Sequence, residues 1–172
     1  MRRLIRSNSR SPRTVLAAAW GTVCSLIIAA PVLSLLSFHA ASCIVRLAFS
    51  CVCHQIPERS FALMGCPLPV CHRCAGLYLG MLIGSLFGIE AVHRSASVRR
   101  ACILAAAAAI LLDALAPAVG LWTGTAAGRF STGLLFGTVT SSVLARGLAE
   151  LLCDAPRRPP PLQTSILKGG LQ

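Results

Sequence analysis

Charge is what this sequence has least of. Only 12% of its 172 residues are Asp, Glu, Lys or Arg, and only 5 are acidic, whereas 55% are hydrophobic and the mean hydropathy is +0.74. That balance excludes an ordinary soluble domain and describes a polytopic membrane protein. The 16 Lys and Arg leave a formal charge of +11, but they stand in short clusters between long apolar runs. Clusters so placed mark the sidedness of loops in a bilayer and argue against a nucleic-acid partner. A strong secretory cleavage site is also lacking, since His39 to Ser42 is a weak one, and Arg2 and Arg3 lack twin-arginine flanks. The apolar run that follows is about twice the length of a signal h-region and predicts a retained span.

The expected fold class is all-α: a membrane helix bundle of about four transmembrane helices plus one interfacial helix. A basic N-terminus (1–14) precedes a membrane domain (15–152) with spans at about 15–38, 73–92, 101–121 and 132–152, and a Pro-rich tail (153–172) follows. Pro31 predicts a kink in the first span. Residues 39–52 are too short and too polar for a crossing and read as the interfacial helix. Pro57, Gly65, Pro67 and Pro69 predict an irregular loop over 53–70. In the second span Gly76, Gly80, Gly84 and Gly88 recur every fourth residue, a smooth stripe against which another helix, in this chain or in a membrane protein partner, packs closely. Trp122 suits the membrane interface.

With the N-terminus inside, twelve of the 16 Lys and Arg fall on the cytoplasmic side and only Arg46, Arg59, Arg73 and Arg129 outside. This positive-inside pattern predicts an inner (cytoplasmic) membrane protein with both termini cytoplasmic and the loop 39–72 extracytoplasmic.

That loop and the start of the next span hold most of the reactive side chains. Cys71-His72-Arg73-Cys74 forms a C-x-x-C pair at an expected helix N-terminus, where free backbone N–H groups favour thiolate. A c-type haem is excluded because Ala75, not His, follows the second cysteine. Cys51, Cys53 and His54 stand upstream. Cys53, His54, Cys71 and Cys74 together offer three thiolates and an imidazole to a tetrahedral metal such as zinc, and Cys51, Cys53, Cys71 and Cys74 offer four thiolates. Adjacent ligands such as Cys53 and His54 are awkward, because neighbouring side chains diverge. Redox use of Cys71 and Cys74 with Cys53 as exchange partner, and structural disulfides, fit the same spacing. Asp113, inside a span, needs a partner, and Arg129 at the start of the next span is the expected one. Arg59, Arg73 and Arg129 share the outer face and form a candidate anion site. Cys24, Cys102 and Cys153 read as packing residues.

The run Cys53-His54-Gln55-Ile56-Pro57-Glu58-Arg59-Ser60-Phe61, followed by Gly65, Cys71, Arg73, Cys74, Gly76, Tyr78 and Gly80, resembles the signature of domain-of-unknown-function family 2085, small bacterial membrane proteins with the pattern CHQxPxRSF then CxRCxGxYxG. Asp113, Arg129, Thr132, Gly133 and Gly137 resemble a second, looser pattern, and the likeness covers about residues 40–145. The resemblance implies a multi-span inner-membrane protein in which Cys53, His54, Arg59, Cys71, Arg73, Cys74, Asp113 and Arg129 match, and it implies no reaction. Cys51, Cys66 and His72 lie outside it. Ala114, Ala116 and Pro117 depart from the Gly and polar residue that the pattern has after the Asp.

The leading expectation is therefore an uncharacterised membrane protein in the lipid bilayer with an extracytoplasmic metal site. A quinone-coupled thiol-disulfide oxidoreductase is the second, although the outer loop 122–131 has no cysteine to relay electrons. A non-catalytic subunit or small transporter with structural disulfides is the third.

Overall fold

The computed structural model describes residues 12–88, 95–117, 119–120 and 124–153. Expectations for the basic N-terminal segment, the end of the second span, Trp122 and the tail lie outside these. Among the described residues five α-helices dominate: α1 (Pro12–Leu35), α2 (His39–Ser50), α3 (His72–Leu86), α4 (Ala96–Leu115) and α5 (Ala126–Cys153). Between α2 and α3 a 3-10 turn (Pro57–Arg59) leads into two antiparallel strands, β1 (Ser60–Leu63) and β2 (Cys66–Cys71).

The hairpin corrects the expectation of an all-α chain with an irregular loop. Leu63 pairs with Cys66, so Met64 and Gly65 form the whole turn, with φ of 49° and 81°. Two consecutive positive φ values are what a two-residue hairpin turn with native strand twist requires. Pro67 and Pro69 are tolerated because a two-stranded sheet consists of edges. Pro69 and Val70 are among the most deeply buried side chains, so the hairpin is part of the core.

Caps, not apolar composition, set two of the helix starts. The Ser95 hydroxyl accepts the N–H of Val98 at 3.2 Å, and Thr125 Oγ1 accepts that of Gly128 at 3.0 Å. Each cap satisfies an otherwise orphaned donor. The helices thus begin several residues before the expected spans and carry Arg99, Arg100 and Arg129. At the end of α1, Ser37 adopts φ 65° while Phe38 N–H bonds Leu33 O at 2.8 Å and Ser37 N–H bonds Ser34 O at 3.1 Å. This Schellman-type stop turns the chain sharply into α2. The Ser42 hydroxyl then donates to Ala30 O at 2.8 Å, tying α2 back to α1 beside the buried Pro31.

The glycines interlock α3 with α5. A Cβ on Gly76, Gly80 or Gly84 would land on the carbonyl oxygen of Phe130, Leu134 or Thr138, and one on Gly133 or Gly137 would land on that of Arg73 or Leu77. The stripe is therefore occupied within the chain, by two small-residue rows meshed backbone to backbone. Gly88 does not belong to it: α3 ends at Leu86, and Gly88 sits at φ 67° beyond the cap, its N–H on Gly84 O at 3.0 Å.

Among the described residues two helices are long and apolar enough to cross a membrane, α1 and the Ala126–Leu151 part of α5. The described part of α3, 15 residues, spans only about 22 Å. Ile28, Leu36, Ile44, Leu47, Leu104 and Leu112 are all exposed, on several helices at once. So broad an apolar surface is the surface of a protein solvated by lipid.

Candidate functional site

One small core lies where α1, α2, the hairpin and α3 meet. Ile27, Phe49, Cys53 and Val70 are buried together, flanked by Val23, Val45 and Tyr78. Phe49 meets the Tyr78 ring edge-on at 6.1 Å. Cys53 is held against this core by the turn after α2, its N–H on Phe49 O at 3.0 Å.

The segment after Cys53 is shaped by its own side chains. Gln55 adopts φ 51° and donates from Nε2 to Arg46 O at 2.6 Å, near the end of α2. Arg46 in turn donates to Pro67 O at 2.7 Å, which fastens β2 to α2. Pro57 opens the 3-10 turn, and the Ser60 hydroxyl closes it on Ile56 O at 2.9 Å. Phe61 packs edge-on against His72 at 4.4 Å and against Phe130 at 5.6 Å. Sequence reasoning gave no role to Arg46, Gln55 or Ser60. Their place inside or just before the CHQ run was the available signal.

This frame brings three sulfurs together. The Sγ atoms of Cys53, Cys71 and Cys74 all lie within 4.8 Å of one another. Cys71 ends β2 and is the N-cap residue of α3, Cys74 lies on its first turn, and the N–H of Cys71 donates to Cys53 Sγ at 3.2 Å. The Cys71 pKa is pulled down to about 5, chiefly by hydrogen bonding from the Cys74 thiol. Burial opposes the shift, and the backbone N–H of Cys74, the Cys53 thiol and the N–H of Arg73 add to it. A thiolate is thus favoured where ligand or nucleophile chemistry needs one.

Tetrahedral zinc with Zn–S bonds of about 2.3 Å holds its sulfurs about 3.8 Å apart. The trio needs to close by no more than about 1 Å to reach that spacing, so these residues fit a thiolate-bound metal. The expected fourth ligand is not among them. His54 is exposed and lines the adjoining cavity, as the divergence of neighbouring side chains requires. Cys51 and Cys43 are exposed, and Cys66 is on β2 outside the cluster. The four-thiolate set through Cys51 is not assembled.

The cavity, ≈ 370 Å³, is lined by the trio together with His54, Arg59, Arg73 and Arg129 on its polar side, and by Val52, Ile56, Ala114 and Pro117 elsewhere. Asp113 is met by Arg73 rather than by Arg129. Arg73 Nε donates to Asp113 Oδ2 at 2.9 Å, its Nη2 contacts the same oxygen and bonds the Asp113 carbonyl at 3.2 Å, and Thr132 Oγ1 stands 3.5 Å from Oδ2. The meshing of α3 with α5 and the packing of α4 on α5 decide this pairing across 40 residues of chain, which adjacency along the sequence does not anticipate. Arg129 lines the cavity with its guanidinium beside Gly124. His72 faces elsewhere: it is buried, its Nδ1 has no hydrogen-bond partner among the described residues, and burial lowers its pKa, with Arg129 adding to the shift and Cys71 opposing it.

The comparisons cover the segment that builds this site. The model of the family described as "Predicted membrane protein (DUF2085)" matches residues 53–143, which run from the first cysteine of the trio into α5. An uncharacterized protein of Methanothermobacter thermautotrophicus is 34% identical over 110 residues, 63% of this chain and 96% of the relative. An uncharacterized protein of Methanocaldococcus jannaschii is 47% identical over 38 residues, 22% of this chain and 24% of the relative. Both organisms are archaea, so the bacterial origin expected from the sequence does not follow from these relatives. No solved structure matches. With more than half of its length matched, the chain belongs to the DUF2085 family of predicted membrane proteins.

Proposed function

We propose that the protein holds a thiophilic metal, zinc by preference, on Cys53, Cys71 and Cys74 at the extracytoplasmic end of a four-span bundle. The observation that carries this reading is the convergence of three sulfurs within 4.8 Å from a turn, a strand end and a helix start. Such a trio leaves one tetrahedral position facing the cavity, open to His54 after a side-chain rotation or to a ligand from outside. An open position makes the site one for binding or chemistry rather than a closed structural one. Arg59, Arg73 with Asp113, and Arg129 surround it and offset the negative charge of a metal held by three thiolates. Crossing of the membrane by α3 and α4 as well as α1 and α5, with both termini cytoplasmic, is part of the same proposal. It rests on the charge asymmetry of the loops.

Thiol-disulfide exchange is the competing use of the same atoms, favoured by the contact of Cys53 Sγ with the backbone of Cys71, which brings a third thiol to the C-x-x-C pair. Forming a Cys71–Cys74 disulfide from one thiolate and one thiol releases two electrons and one proton and needs an acceptor such as a quinone. The two readings separate in one experiment on full-length protein purified in detergent without reductant or chelator. About one zinc per chain, lost in Cys53→Ser and in Cys71→Ser and protecting three thiols from alkylation, is the expected result. Metal-free protein with Cys71 and Cys74 disulfide-bonded and exchangeable would replace the metal reading with the redox one.

A further inference from the structure

We infer that the cavity beside the thiol trio is a binding site for a phosphate ester with an apolar body, its acid group taken by Arg59 and Arg129. Three guanidinium groups and an imidazole line the cavity, and among the described residues no carboxylate does. Asp113 stands behind that lining and is engaged by Arg73 through Nε, Nη2 and the main chain. Arg59 and Arg129 bring two further guanidinium groups to the same lining, and an anion that offers several oxygens to more than one guanidinium suits a wall of that composition.

The rest of the ligand follows from the other wall. Val52, Ile56, Ala114 and Pro117 supply apolar surface. The volume, ≈ 370 Å³, falls in the range of small-molecule sites, roughly 300–1,000 Å³, and is larger than a bare inorganic anion needs. Ala114 lies in the last turn of α4 and Pro117 just past its end, and Leu111, Leu112 and Leu115 of the same helix are exposed, so the cavity wall runs on into lipid-facing surface. A phospholipid headgroup entering from the bilayer and a soluble phosphate ester entering from the aqueous side share this chemistry. The inference does not require the metal, because the arginines and the apolar wall are present whether or not the thiols hold an ion.

The test uses full-length protein in a neutral detergent, with metal content measured on every sample so that loss of the ion and loss of the anion site are read separately. Glycerol 1-phosphate is titrated calorimetrically, and phosphatidylglycerol and phosphatidylcholine are compared by native mass spectrometry. The expected result is 1:1 binding of at least one phosphate probe, weakened at least tenfold by Arg59→Gln and by Arg129→Gln and restored in part by Arg59→Lys, in samples compared at equal zinc content. Phosphatidylglycerol bound at least tenfold more tightly than glycerol 1-phosphate identifies a lipid ligand, and the reverse identifies a soluble one. Absence of saturable binding by either probe overturns the inference, as does equal binding of phosphatidylcholine or affinity unchanged in both glutamine variants.

Discussion

Asp113 shows how a membrane protein carries an ionisable side chain. Its carboxylate is only 9% exposed, and Arg73, at 29%, covers it from the first turn of α3. Removing one partner of such a pair leaves the other buried and uncompensated, whereas removing both can be nearly neutral. Partial exposure of the arginine reduces the effect, so Arg73→Ala is expected to destabilise the fold by about 2 kcal/mol, below the full cost of breaking a buried pair. Arg73→Met with Asp113→Leu should recover most of that loss. Unfolding in mixed micelles of increasing denaturing-detergent fraction measures both. Equal destabilisation by the single and the double variants would mean that the pair does not bear on stability. At this scale the sequence was readable in part. The need for a cation partner followed from Asp113 alone, and the thiols of Cys53, Cys71 and Cys74 stood out by motif. The choice of Arg73 over Arg129, and the absence of His54 from the trio, depend on which helix faces which, and spacing along the chain does not encode that.

The elements show a similar division. Repeated glycines announced a close helix contact, and α3 meets α5 through Gly76, Gly80, Gly84, Gly133 and Gly137. A Cβ at Gly80 meets backbone atoms of Leu134, which cannot swing aside as a long side chain would. Gly80→Ala must therefore push the helices apart, and we expect a loss of about 2–3 kcal/mol, the upper part of the range of about 1–3 kcal/mol found when extra methylenes are forced into a packed core. Gly147→Ala is the matched control: it lies inside α5 with nothing within 4 Å of the added carbon. There the helix gains in propensity, so stability should stay level or rise by up to about 1 kcal/mol. Comparing the two by the same unfolding assay tests the meshing directly, and similar values for both would refute it. Gly88 and the hairpin were misread for one reason. Both are places where the backbone turns at positive φ, Gly88 past the end of α3 and Met64-Gly65 between two strands, and Met64-Gly65 lacks the Asn-Gly or Asp-Gly signature of a hairpin turn.

For the whole molecule, the proposed topology rests on the sidedness of charge. The four Arg on the minority side of the charge count are Arg46, Arg59, Arg73 and Arg129. Each has a place at the site: Arg46 fastens β2 to α2, and the other three line the cavity. In the proposed orientation positive charge stands outside only where the fold uses it, and the remaining Lys and Arg lie toward the cytoplasmic face. α2 suits a membrane surface in the same proposal. It buries Ser42 and Phe49 against the bundle and exposes Ile44 and Leu47, so its free face is apolar and suits lipid at the outer boundary. Cys43 and Cys51 are exposed near the two ends of that helix and report its side of the membrane. In intact spheroplasts a membrane-impermeant maleimide should label a variant that keeps Cys51 as its accessible thiol, while a tag placed after Gln172 stays protected from added protease. Labelling of Cys51 that requires permeabilisation would invert the proposed orientation. It would also move the thiol trio and its cavity to the cytoplasmic side, where reducing conditions favour metal ligation over disulfide chemistry.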